Sequence, residues 1–251
     1  MTPKERLALI VYAPSLVGND PRAINSVQGM ERALPGLRLE WRLSKSGRPI
    51  ALPQRDAWIM EHIEDGGFPL VCNGDVSYPV TAWGTENPGP FCPRGQAQFE
   101  VHAKLPLDEP VLAAAAAVLE GVSEGARAHW GRATPYAAAA DIAYQTAPTL
   151  LGPPAPRRGL PALKRFEHIR APEIPYYLGW LNYWSAAAAQ AIGFPDPSRD
   201  TELLSRSRRT ASGGWVVQLT DAPLDLDNPT HLDTLKRTYE RFPEIGGRAA
   251  P

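Results

Sequence analysis

Cysteine is nearly absent from this chain. Cys72 and Cys92 are too few for a disulfide framework in 251 residues, and neither belongs to a CxxC pair of the kind that holds zinc. Two separate thiols in a reducing compartment are the expected state, with a single bridge as the alternative. Long apolar runs are also lacking. The run Leu7 to Ala13 falls well short of the ~20 residues that a membrane span needs, and Glu5 before it and Pro14 after it make it a poor signal peptide. The expectation is a cytoplasmic protein with no membrane partner. Neither sign of charge dominates: 26 basic residues face 27 acidic ones, without the basic surplus of a typical nucleic-acid binder. The five histidines form no HExxH, HxH or HxxxH pattern, which leaves metal ligation with little support. There is no GxSxG elbow for a nucleophilic serine, no GxGxxG or GxxxxGK loop for phosphates, and no repeat of fixed period.

What is present is a globular composition, 43% hydrophobic and 21% charged, which argues against disorder. Proline is spread along the chain, so it punctuates elements and forms no linker. Leu7 to Ala13 reads as a strand central in a sheet, because both of its faces are apolar. Asp20-Pro21 signals a helix start: the aspartate oxygen can accept an orphan N–H, and proline suits the first helical position. That helix runs to Leu34, before Pro35-Gly36. Leu37 to Leu43 and Phe99 to Leu105 alternate apolar and polar residues, as half-buried strands do. Pro49 to Leu52 adds a short strand, and Gln54 to Glu64 a second helix. Phe68 to Asp75 and Tyr78 to Trp83 pair as a hairpin, with Trp83 at a strand end before a loop rich in proline and glycine.

Asp108-Glu109-Pro110 opens a long alanine-rich helix that reaches Trp130, and Thr134-Pro135 opens another that reaches Gln145. Pro148 to Gly159 is the least structured stretch. It is the candidate joint between subdomains 1–150 and 160–251 of one compact unit, 1–251. Beyond it come a strand from Leu178 to Tyr183 and a helix from Ala186 to Ile192. A short helix starts at Asp196-Pro197, and a hairpin turns at Ser212-Gly213-Gly214. The last helix starts at Asn228-Pro229. The expected class is α+β, with mixed or antiparallel sheet packed against helices in two similar-sized halves.

Asp221, Asp225, Asp227 and Asp233 are the densest acidic cluster. Asp225-Leu-Asp227 begins like a calcium loop, but Pro229 takes the third ligand place, Thr230 replaces the required glycine, and Lys236 stands where the bidentate glutamate belongs. Negative charge near a helix N-terminus, favourable by about 0.3–1 kcal/mol per group, explains it better. His102, facing opposite to Val101 and Ala103, offers a hydrolase alternative together with Asp75 and a serine, as does the Asp221–Asp227 turn. Arg157, Arg158, Lys164, Arg165 and Arg170, with Arg206, Arg208 and Arg209, offer a nucleic-acid alternative. Edge-strand charges that discourage edge-to-edge pairing are the simpler account of the second group, and nucleic acid is not the expected partner. Most of the tryptophans, Trp41, Trp58, Trp83, Trp130, Trp180, Trp184 and Trp215, fall among aliphatics as core residues do. Trp83 is the one expected at the surface.

Gly179-Trp-Leu-Asn-Tyr-Trp-Ser enters a helix, and Gly213-Gly-Trp-Val-Val-Gln-Leu-Thr-Asp-Ala-Pro-Leu-Asp leads into the closing one. Across about residues 176–243 these segments resemble the immunity protein 52 family of bacterial polymorphic-toxin systems, and a related uncharacterised bacterial family. The resemblance implies a non-catalytic antidote, without metal or cofactor, that binds and blocks a cognate toxin, often a nuclease. Such toxins tend to be basic around the substrate groove, and complementary charge speeds association. The candidate contact residues are therefore Trp83, Glu86, Asp196, Asp200, Glu202, Asp221, Asp225 and Asp227.

Overall fold

The apolar run near the start of the chain becomes an inner strand of a ten-stranded sheet. The computed structural model describes residues 6–63, 66–147 and 158–249. The strands are β1 (Arg6–Pro14), β2 (Trp41–Leu43), β3 (Pro49–Ala51), β4 (Gly67–Cys72), β5 (Thr81–Asn87), β6 (Gln98–Pro106), β7 (Trp130–Pro135), β8 (Leu181–Trp184), β9 (Ser207–Arg209) and β10 (Trp215–Gln218). Their spatial order is β3-β2-β4-β5-β6-β1-β7-β8-β10-β9, with every neighbouring pair antiparallel. Helices α1 (Arg22–Ala33), α2 (Arg55–His62), α3 (Glu109–Ala126), α4 (Tyr136–Thr146), α5 (Ala186–Ile192), α6 (Thr201–Ser205) and α7 (Pro229–Arg241) accompany it. The class is α+β, as expected. The sheet is continuous across the two segments of chain, because β7 pairs with β8.

The register assigns the two faces. Val101, Val11, Gly131, Tyr183, Val216 and Arg208 form one row across the sheet. Tyr183 donates to Glu124 and Arg208 pairs with Glu120, both on α3, so this is the face that α3 covers. Helix α1 lies against α3 at backbone contact. A Cβ on Gly29 or on Gly121 would overlap the other's carbonyl, and one on Gly125 would overlap the carbonyl of Asn25. On the opposite face, Tyr12, Trp130, Trp184 and Trp215 are in register. Tyr12 and Trp130 stack at 3.9 Å, and Trp184 packs edge-on against Phe194 and Phe242, which follow α5 and α7. The C-terminal segments thus cover the β7–β10 end of this second face. At its β5–β6 end Thr81, Trp83, Thr85, His102 and Lys104 are half-buried.

Several expectations need correction. The long helix ends at Ala126, where Arg127 takes a left-handed φ of 50°. Trp130 instead opens β7, a fully buried strand between β1 and β8. Thr134-Pro135 closes that strand, and α4 starts one residue later. Of Leu37 to Leu43, only Trp41–Leu43 is strand. Leu37 and Leu39 are buried, whereas Trp41 and Leu43 are exposed, so the alternation slips phase at Glu40. Trp83 is not at a strand end, since β5 continues to Asn87. Trp41, at 37% exposure, takes the surface place expected of Trp83. Cys72 and Cys92 are buried free thiols. Among the described residues no helix is long and apolar enough to cross a membrane. The N-terminal five residues, the expected helix end at Glu64 and the loop from Pro148 to Arg157 lie outside the described residues.

Candidate interaction surface

Strand β6 carries two rows. Phe99, Val101, Ala103 and Leu105 are buried toward α3, while Gln98, Glu100, His102 and Lys104 lie on the second face. His102 is opposite Trp83 in register, and their rings stack at 5.0 Å with only 5° between planes. The imidazole Nε2 is 2.9 Å from Glu100 Oε2, and Glu100 also accepts a hydrogen bond from the Asn87 amide. His102 is therefore braced on both sides. Lys104 Nζ lies 5.4 Å from the Trp83 ring and 5.8 Å from that of Tyr136, a cation held between two π faces. Tyr136 begins α4 and is 40% exposed. Tyr144, eight residues along the same helix, is 66% exposed. Eight residues are a little over two turns, so both rings stand on one side of a helix whose other residues are mostly alanine.

Helix α4 then forms one wall of a cleft of about 260 Å3. Ala137, Ala138 and Asp141 line it together with Pro223 to Asp227, Leu107 and Pro135. Arg158 joins the walls: its Nε is 2.9 Å from Asp141 Oδ2 and its Nη1 is 2.8 Å from Asp227 Oδ1. The hydrogen bond to Asp227, opposed by burial and helped by the charge of Asp141, raises the guanidinium pKa above its ordinary value. Trp83 thus reaches the start of α4 through Lys104 and Tyr136, while Asp225 and Asp227 meet the same helix across the cleft. Asp221 is exposed nearby in the chain, where its carbonyl accepts from Gln218.

The other sequence candidates lie elsewhere. Glu86 is a half-buried strand residue whose Oε1 accepts the Leu16 N–H at 2.7 Å, tying β5 to the segment after β1. Asp196 accepts from the Ser198 hydroxyl and amide, which hold its carboxyl below the usual range, and so it braces a turn. Asp200 is not a surface group at all. It is 1% exposed, and Arg241 grips it through Nε at 2.6 Å and Nη2 at 3.0 Å. A short helix start signalled by Asp196-Pro197 hid this, because the actual helix begins only at Thr201. Glu202 is exposed and pairs with Arg206.

The groups of the hydrolase alternative do not converge. Asp75 accepts from Ser77 and Tyr78 in the β4–β5 turn and lines a cleft with Trp41, whereas Asp225 and Asp227 line the α4 cleft. Of the basic residues, Arg158, Arg165, Arg170, Arg206 and Arg208 each face a carboxylate. Arg157 lies outside the described residues. Among the described residues no group of three or more His, Cys, Asp or Glu is placed to hold a metal ion. Tyr136, Tyr144 and Lys104 were missed by sequence reasoning. Two tyrosines eight apart in an alanine-rich helix were the available signal.

A protein-family model described as a domain of unknown function, DUF5953, matches residues 18–250. The chain is also similar in structure to a T6SS protein of Pseudomonas aeruginosa, with a TM-score of 0.55 and 15% identity, over 95% of this chain and 72% of that one. At that identity the likeness shows a common fold. No curated protein matches the sequence.

Proposed function

The chain belongs to the DUF5953 family, and we propose that it is a non-catalytic binding protein that neutralises a cognate bacterial toxin in the cytoplasm. Its grip is the surface running from Trp83 over Lys104, Tyr136 and Tyr144 to Asp225 and Asp227. The observation that carries this reading is the pair of exposed tyrosines on α4, with Lys104 set between Tyr136 and Trp83. Exposed aromatic rings bury much area at little entropic cost and are enriched among the residues that dominate interface energetics. The acidic turn at the rim suits a basic partner and would speed its approach. Two further points support the class: the resemblance of residues 176–243 to the immunity protein 52 family, and the T6SS designation of the structural neighbour.

The test is co-expression with the product of the neighbouring reading frame as the candidate toxin, followed by affinity measurement. Wild type should rescue the cells and bind. The double variant Tyr136→Ala/Tyr144→Ala should bind at least about tenfold more weakly with an unchanged circular dichroism spectrum. Failure of the wild type to bind that toxin, or full affinity in the double variant, would refute the proposal.

A further inference from the structure

Asp200 and Glu202, two of the expected contact residues, lie in a cleft where arginine outnumbers carboxylate. Arg199, Asp200, Glu202, Leu203 and Arg206 line a cleft of about 210 Å3 against Thr234, Arg237, Thr238 and Arg241 of α7. The four α7 residues fall at positions i, i+3, i+4 and i+7, one face of the helix. Four guanidinium groups therefore meet two carboxylates.

The carboxylates are already committed. Asp200 is buried and held bidentately by Arg241, and Glu202 pairs with Arg206 through one oxygen at 3.0 Å. Arg199 and Arg237 have no carboxylate partner among the described residues, and both are exposed at the cleft mouth. The Nε of Arg206 is buried without an acceptor, a donor cut off from water and still unused. Thr234 and Thr238 donate back to their own helix, and Thr234 Oγ1 accepts from Arg237 Nη2 at a long 3.4 Å, so the threonines supply Arg237 with a neutral partner and no negative charge.

We infer that the cleft between α6 and α7 is a binding site for a phosphoryl group, either free phosphate or a phosphate monoester. Planar guanidinium forks match phosphate oxygens in pairs, and arginines that line one cleft from α7 and from either side of α6 suit a dianion better than a single carboxylate. The small volume fits a phosphoryl head group and excludes a whole nucleotide held lengthwise. This site is on different helices from the tyrosine surface of α4, so the two proposals fail independently.

The test is calorimetric titration of the full chain at constant ionic strength with inorganic phosphate and, separately, with a phosphoserine peptide and its unphosphorylated counterpart. Saturable binding of phosphate is expected, strengthening as pH rises and the dianion forms, which for the phosphoserine monoester happens through about 6 and for free phosphate about one unit higher. Arg237→Ala and Arg199→Ala should each weaken it at least tenfold, and Arg237→Lys should weaken it less than Arg237→Ala. Tighter binding of the phosphopeptide than of free phosphate assigns the source to a modified protein, and equal or weaker binding assigns it to a small molecule. Absence of saturable phosphate binding, or unchanged binding in Arg237→Ala with a wild-type melting temperature, overturns the inference.

Discussion

Gly29 of α1 and Gly121 of α3 meet backbone to backbone, each occupying the space that the other's Cβ would need. Neither glycine is there for its backbone angles, since neither has a positive φ. The close approach is the reason for them. Gly121→Ala should therefore cost about 1–3 kcal/mol by overpacking, despite alanine's better helix propensity. Urea denaturation measures it, and a gain in stability would show that the helices can part at no cost.

Asp200 and Arg241 are a second load on the fold. The carboxylate has no exposed side-chain area and the guanidinium only 17%. Asp200→Ala should destabilise the protein by about 3–5 kcal/mol, because it strands Arg241. Arg241→Met added to that variant should recover part of the loss. A double variant no better than Asp200→Ala would show that packing, and not the stranded charge, sets the cost.

His129 precedes β7, and its pKa lies below the ordinary 6.5 because burial disfavours the imidazolium, with Arg22 adding to that and Glu173 opposing it. The unfolded chain takes up its proton near pH 6.5, while the folded one resists until lower pH. This contribution is thus intact above pH 6.5 and is lost as pH falls below it. The fall in stability between pH 6.5 and 5 should be shallower in His129→Gln than in wild type. Parallel curves would remove His129 from the account.

Asn182 gives the Gly179–Ser185 segment its shape. Its Oδ1 accepts the Gly179 N–H at 2.8 Å and its Nδ2 donates to the Gly179 carbonyl at 3.0 Å, with every partner buried. Asn182→Ala should lose about 1–3 kcal/mol by leaving those backbone groups unpaired. Hydrogen exchange at Gly179 should rise in the same variant, and unchanged protection there would mean that water or a neighbour takes over.

The elements most legible in the sequence were those whose periodicity is set by one neighbour. Phe99 to Leu105 alternates because α3 covers one side of β6, whereas Leu7 to Ala13 is apolar on both faces, one buried throughout and the other buried at Tyr12 and partly buried at Ala8 and Ile10. Strand β7 was illegible for a physical reason. Gly131, Arg132 and Pro135 are poor strand formers, and Gly131 is required where a Cβ would come 2.6 Å from Val11. Its identity as a strand is imposed by neighbours remote in the chain. The same holds for the surface: Trp83 and Asp227 could each be singled out, but only the register of β5 on β6, and Lys104 between two rings, joins them. Asp200 was misplaced because a carboxylate near a turn looks solvated until its arginine partner, 41 residues later, is in view.

The place of β1 between β6 and β7 also bears on how the chain is made. Leu7 pairs with Leu105 on one side and with Pro135 on the other, so β1 leaves the ribosome roughly a hundred residues ahead of both partners. Pairings of such long separation form slowly. During synthesis the most apolar strand of the sheet therefore waits with both edges open, in need of shelter before the chain has supplied it.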